Sequence, residues 1–219
     1  MSSVIETPFV LVTGGKGGVG KTTVAANLGV EMASAGKRVL IVDLDLGLAN
    51  LNVLLGLDTP RTIEDALTGA VEPSACVVPG PAGVHLLPAG SGTERMGRLT
   101  GEQRERLVEV IAEVARDYDV VIGDSAAGVG PDVMAFASIA DRVLVVTTPE
   151  LAALTDAYGL IKALDQYGSR TEADIPTPEI VVNHASGVEE GEAVARKLKA
   201  ICERFLARSP RQADRKSVV

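Results

Sequence analysis

Gly15-Lys-Gly-Gly-Val-Gly20-Lys21-Thr22 decides the fold. The run fits G-x-x-x-x-G-K-[ST]. It follows an apolar, β-branched stretch, Phe9-Val-Leu-Val-Thr13, and precedes helical spacing at Val24, Leu28 and Met32. In that context each residue type has a task. Glycines let backbone N–H groups turn inward around phosphates, and the positive end of the following helix adds to the attraction. Lys21 suits the β- and γ-phosphates and the Thr22 hydroxyl suits Mg2+. A glycine-rich turn without a ligand leaves Lys21-Thr22 unexplained. The expected site is a cradle for Mg-ATP built from Gly17, Gly18, Val19, Gly20, Lys21, Thr22 and Thr23.

Outward from the loop, strand and helix signals alternate. Gly36 stops the first helix, with Lys37 and Arg38 beside it, and Val39-Leu-Ile-Val-Asp43 reads as a second buried strand. Leu46 to Leu57 reads as loop and short helix, and Thr62 to Leu67 as another short helix. Val84 to Pro88 is expected to be a strand ending in the turn Ala89-Gly-Ser-Gly92. Thr100 with Gln103 makes a capping box for a helix whose apolar face is Leu107, Val110, Ile111 and Val114. Asp119 to Asp124 and Arg142 to Thr147 are strands, Leu151 to Tyr167 is helical, and Glu179 to Asn183 is the last clear strand. Val194, Leu198, Ile201 and Phe205 mark the buried stripe of a closing helix. This alternation predicts an α/β fold, a mostly parallel sheet covered by helices on both faces. Such sheets bind ligands at the carboxyl ends of their strands, where Asp43, Asp45, Asp124, Pro149, Glu150 and Asn183 fall.

Composition narrows the function classes. The 219 residues are 46% hydrophobic and carry a net charge of −8, which suits one soluble, cytoplasmic domain spanning 1–219 and argues against general nucleic-acid binding. Aromatics at 3% leave few platforms for stacking bases. Cys76 and Cys202, far apart and outside any CxxC pair, read as buried thiols, and His85 and His184 belong to no ligand cluster. The basic stretch from Arg196 through Lys197, Lys199, Arg204, Arg208, Arg211, Arg215 and Lys216 reads first as a solvated face. Membrane or DNA association is the weaker alternative.

Lys16 sets this loop apart, since an ordinary phosphate loop has no lysine there. Lys16 to Thr23 resembles the deviant Walker A motif of the MinD/ParA ATPases, a group of the SIMIBI-type P-loop NTPases. The resemblance runs from about Pro8 to Pro210. Asp43-Leu-Asp-Leu-Gly-Leu-Ala-Asn50 resembles the first switch of the group and Asp124-Ser-Ala-Ala-Gly128 the second. Leu87 to Gly92, Thr148-Pro-Glu150 and Thr155-Asp-Ala-Tyr158 are most similar to the FlhG/FleN flagellar-number branch.

The resemblance implies ATP hydrolysis with Lys16, Lys21 and Asp45 as the catalytic set. Lys16 acts across an ATP-dependent homodimer and Asp45 orients the attacking water. It further implies Mg2+ held through Thr22, Asp45 and Asp124, and adenosine contacts from Pro149, Glu150 and Asn183. The expected function is a dimerisation switch that places or counts flagella or the division site, answering to a protein activator. A metabolic or iron–sulfur-related P-loop enzyme is the alternative. The chain departs from the group's pattern at Ala126. The sequence after Pro210 is expected to lack the group's further strand and membrane-binding helix, and only about eight residues precede the first strand. The domain is therefore expected to be truncated or atypical after about residue 210, and a longer form is expected at the periphery of the inner membrane.

Overall fold

The computed structural model describes residues 5–90, 99–206 and 209–213. Ser91, Gly92, Arg208, Arg215 and Lys216, named above, lie outside the described residues. Eight strands form one sheet: β1 (Phe9–Thr13), β2 (Val39–Leu44), β3 (Val78–Pro79), β4 (His85–Leu87), β5 (Val120–Ser125), β6 (Arg142–Thr147), β7 (Glu179–Val182) and β8 (Arg211–Gln212), in the order β3-β4-β2-β5-β1-β6-β7-β8. β2 pairs in parallel with β4 and β5, and β6–β7–β8 are parallel as well, while β3 alone among the described pairings runs antiparallel, against β4. All residues of β1, β2 and β5 are buried, as strands covered on both faces require.

The described residues form two compact units. One comprises residues 1–10 and 25–126, the other 11–24 and 127–219, so β1 and the helix α1 (Lys21–Ser34) each contribute to both. The first unit holds β2–β5 with α2 (Leu51–Leu55), α3 (Ile63–Leu67) and α4 (Gly101–Ala115). α4 starts on the expected capping box, with the Gln103 N–H donating to Thr100 Oγ1 at 3.2 Å and the Thr100 N–H to Gln103 Oε1 at 2.9 Å. Within β5, Gly123 is required by space, because a Cβ there would come within 2.8 Å of both Leu44 and the Phe9 ring.

The second unit holds β6–β8 with α5 (Pro131–Ala137), α6 (Leu151–Thr171) and α7 (Val188–Phe205). Two expectations are corrected here. A strand does follow Pro210: Arg211 and Gln212 pair with Glu179 and Ile180, and the Arg211 N–H donates to the Pro178 carbonyl at 2.8 Å. Both residues are exposed and the pairing uses backbone alone, so no apolar run announces it. The buried stripe of α7 is Ala195, Leu198 and Cys202, whereas Ile201 and Phe205 are 36% and 62% exposed. The helix lies about one position round from the expected face, packed on β7 and β8. On α1, similarly, Ala25, Ala26 and Leu28 are buried while Val24 and Met32 are only partly so.

The cysteines and His85 sit within the fold. Cys76 and Cys202 are buried free thiols, and burial raises the Cys202 thiol to about 11. His85 Nδ1 lies 2.6 Å from the Tyr118 hydroxyl.

Candidate functional site

The loop between β1 and α1 is shaped by its glycines. Gly18 and Gly20 adopt φ of +80° and +90°, a region that L side chains rarely enter, so the backbone reverses twice within three residues. The Gly20 carbonyl then accepts from the Val24 N–H at 2.9 Å and starts α1. Gly15 is packed so closely on α6 that a Cβ would collide with the backbone at the Asp156 carbonyl. By contrast a Cβ on Gly17 or Gly18 would meet nothing within 4 Å, so the outer arc of the loop has room beside it. Lys21 is 8% exposed, Thr22 half-buried and Thr23 exposed. The depth of Lys21, the positive-φ glycines and the open arc together suit a polyphosphate carrying Mg2+.

Two more residues expected at the site meet the same loop. Asn183, just beyond β7, donates from Nδ2 to the Val19 carbonyl at 3.0 Å, and a Cβ on Gly20 would collide with that amide. Glu150, the residue before α6, lies 3.5 Å from Lys16 Nζ through Oε2. Lys16 thus has a neighbour within its own chain, which its sequence context did not suggest. Pro149 is half-buried next to Glu150.

The carboxylates belong to the first unit. Asp43 and Asp124 sit side by side in the β2–β5 register and are 1% and 2% exposed. Burial first, and the Asp124 charge second, push the Asp43 carboxyl up to about 7. A pair of buried acids on neighbouring strands is an arrangement that a divalent cation, alone or through its water shell, compensates. Asp45, two residues on, is half-buried and turns into the following loop, where its Oδ1 accepts from the Leu48 N–H at 3.2 Å. Sequence reasoning selected Asp45 and Asp124 for the metal and passed over Asp43. The available signal was position: Asp43 is the last-but-one residue of a wholly apolar strand, where a carboxylate needs a reason to be buried.

Residues 8–176 match the family model described as AAA domain (AAA_31). The chain is 40% identical over 206 residues to antiactivator FleN of Pseudomonas aeruginosa, covering 94% of this chain and 72% of FleN. It belongs to the MinD/ParA family of AAA domains, on the FlhG/FleN-like branch. The flagellum site-determining protein YlxH of Helicobacter pylori is 32% identical over 92% of this chain and 66% of its own length.

Among solved structures, MinD of Pyrococcus horikoshii complexed with Mg-ADP is similar at a TM-score of 0.65 and 28% identity, over 87% of this chain and 76% of that one. Cobyrinic acid a,c-diamide synthase of Mycobacterium smegmatis, with bound ATP analogue and magnesium, is similar at a TM-score of 0.71 and 26% identity, over 97% and 90%. The chain is accordingly an ATP-binding P-loop protein of the MinD/ParA family.

Proposed function

We propose that this chain is a Mg-ATP-dependent dimerisation switch with slow ATP hydrolysis, and that it positions or counts flagella or the division site. Gly17 to Thr23 cradle the phosphates, with Lys21 neutralising the β/γ oxygens. Thr22, Asp45 and Asp124 hold Mg2+, which when bound withdraws charge from the phosphoryl oxygens. Asp45 orients the attacking water. One N–H of the Asn183 amide is taken by Val19, leaving its second N–H and Oδ1 for the adenine edge, with Pro149 and Glu150 alongside. Lys16 reaches the phosphates of a second copy, as an arginine finger does in trans. A protein activator accelerates turnover, and the protein works in the cytoplasm and at the periphery of the inner membrane.

The observation that carries this reading is the setting of Lys16. Its side chain is 42% exposed beside the open arc of Gly17 and Gly18, and its ion pair with the 73% exposed Glu150 is 3.5 Å long. Exposed pairs of that kind contribute about 0–1 kcal/mol, so little holds the lysine within its own subunit. The likeness to YlxH, named for determining the flagellar site, supports the flagellar assignment over septum placement.

Light scattering of Asp45→Ala protein in Mg-ATP, with and without an added Lys16→Ala change, tests the switch. The single variant is expected to dimerise and the double variant to remain monomeric while still binding ATP. Equal dimerisation of both removes the trans role and with it the switch.

The likeness to the diamide synthase favours a second reading, an ATP-dependent biosynthetic enzyme. In that case monomeric Lys16→Ala protein would retain full turnover with a small-molecule acceptor.

A further inference from the structure

Asp43 is buried and unassigned by the mechanism above, and its two oxygens reach both ends of one loop. Oδ1 accepts from the Asp45 N–H at 3.0 Å and Oδ2 from the Leu51 N–H at 3.5 Å. Leu51 is the first residue of α2 and is fully buried. The residue before it, Asn50, makes no side-chain cap, and its amide instead donates to the Leu48 carbonyl at 2.6 Å. The α2 amino terminus therefore takes its side-chain acceptor from eight residues upstream. Between the two anchors, Gly47, Leu48 and Asn50 are exposed, and the one turn formed there closes on Asp45 itself, through the Leu48 N–H to its carbonyl at 3.2 Å. The segment 45–50 has little buried surface of its own to fix it beyond Leu46.

We infer that Asp43 is the positioning residue for Asp45: its carboxylate clamps the first and last amides of the loop 45–51 and thereby fixes where the Asp45 carboxylate points. The inference rests on the proposed hydrolytic role of Asp45. The strand position makes the clamp rigid, because β2 is buried along its whole length and pairs on both sides, so the loop inherits the precision of the sheet. A clamp made of one carboxylate accounts for an acid at a buried strand position. Two backbone donors converge on it, and no neutral side chain of that length offers two acceptor oxygens. Asparagine in this place keeps one oxygen for the Asp45 N–H but turns an NH2 toward the Leu51 N–H, donor against donor.

The test compares parent, Asp43→Ala, Asp43→Asn and Asp45→Ala for three quantities: ATP affinity, turnover under single-turnover conditions, and amide hydrogen exchange across residues 44–52. Asp43→Ala is expected to bind ATP within about threefold of the parent and to hydrolyse it at least about a hundredfold more slowly, the range of a mispositioned acid or base. Its 45–51 amides should exchange at least about tenfold faster, with protection in β5 and α4 unchanged. Asp43→Asn is expected to keep protection at the Asp45 amide, lose it at Leu51, and recover part of the turnover.

Unchanged exchange over 45–51 in Asp43→Ala overturns the clamp whatever the turnover does. Faster exchange with parental turnover overturns the coupling to Asp45. If Asp45→Ala hydrolyses ATP as the parent does, the hydrolytic reading of Asp45 fails and the positioning role falls with it. The exchange data still report separately on the clamp.

Discussion

Two glycines two positions apart in the P-loop have different reasons to be glycine. At Gly15 a methyl group would run into the backbone of α6 at Asp156 and Ala157, which cannot swing aside as a side-chain tip can. At Gly17 the same methyl group meets nothing within 4 Å. Gly15→Ala is therefore expected to destabilise the nucleotide-free protein by about 1–3 kcal/mol, the usual range for overpacking. Gly17→Ala should stay within about 0.5 kcal/mol, as an unhindered surface change does. Urea denaturation of the two variants against the parent checks this, and equal midpoints for both would show that α6 does not pack on the loop. The sequence motif marks both positions alike. Only the packing of α6, which comes from 136 or more residues downstream, separates them.

At the scale of elements, buried strands were legible because a strand covered on both faces leaves an unbroken apolar run, as in β1, β2, β5 and β6. α4 was legible through its capping box and α1 through its glycine stop, where Gly36 adopts φ +88°. Elements held by backbone alone were not: β3 and β8 are two residues each. α5 was overlooked although Pro131 stands at its first position after Gly130, a helix-start signal. α6 runs past Gly168, which reads as a stop in sequence but serves as a place of close approach, with Ala173 O and Ile175 3.2 Å from where its Cβ would be. The site divided in the same way. Loop chemistry was written in the motif, whereas the Asp43 clamp and the Lys16–Glu150 and Asn183–Val19 contacts depend on tertiary placement.

One inter-strand contact at this scale has a pH signature. At the entry to β2 and β5, Asp119 accepts from the Arg38 side chain at 2.7 Å and from the Arg38 N–H at 2.8 Å. The Arg38 side-chain hydrogen bond, followed by its backbone N–H, lowers the Asp119 carboxyl to about 2. A depressed acid stabilises the fold above its unfolded value of about 3.9, and that contribution is lost as pH falls through about 2. Arg38→Ala should lower the thermal midpoint slightly at pH 7, and the gap to the parent should close as the pH falls from about 4 to 2. The pair is largely exposed, so the shift is small. A gap of constant size across that range would show that the salt bridge is not what Arg38 contributes.

For the whole molecule the question is whether its surface can hold nucleic acid or lipid by charge. The net charge is −8, and α7, the described helix with the most Lys and Arg, begins with Glu189 and Glu190. Further along it, Arg196 pairs with Glu192 at 3.2 Å and Lys199 with Glu203 at 3.8 Å. Among the described residues of α7 this leaves Lys197 and Arg204, the latter stacked 5.2 Å from the Phe205 ring centroid. Each basic residue near an anionic surface contributes about 1 kcal/mol, so these two together offer about 2 kcal/mol, far from stable recruitment. Val188, Ile201 and Phe205 add three exposed apolar side chains spread over a helix rich in charge, too little for an interfacial face. No helix among the described residues is long and apolar enough to cross a membrane.

Binding of this chain to duplex DNA or to vesicles of anionic lipid is therefore expected to be weak at physiological salt, with a Kd for DNA above ~10⁻⁴ M. Its logarithmic salt slope for DNA should be near −2, where proteins making 6–10 phosphate contacts lose ~10³–10⁵ in affinity between 50 and 200 mM salt. Sedimentation with vesicles and fluorescence anisotropy with DNA, each with and without ATP, measure both. Tight, ATP-dependent binding with a steep salt slope would mean that dimer formation gathers basic residues of two copies onto one face. Lys197 and Arg204 would then be the first positions to reverse in charge.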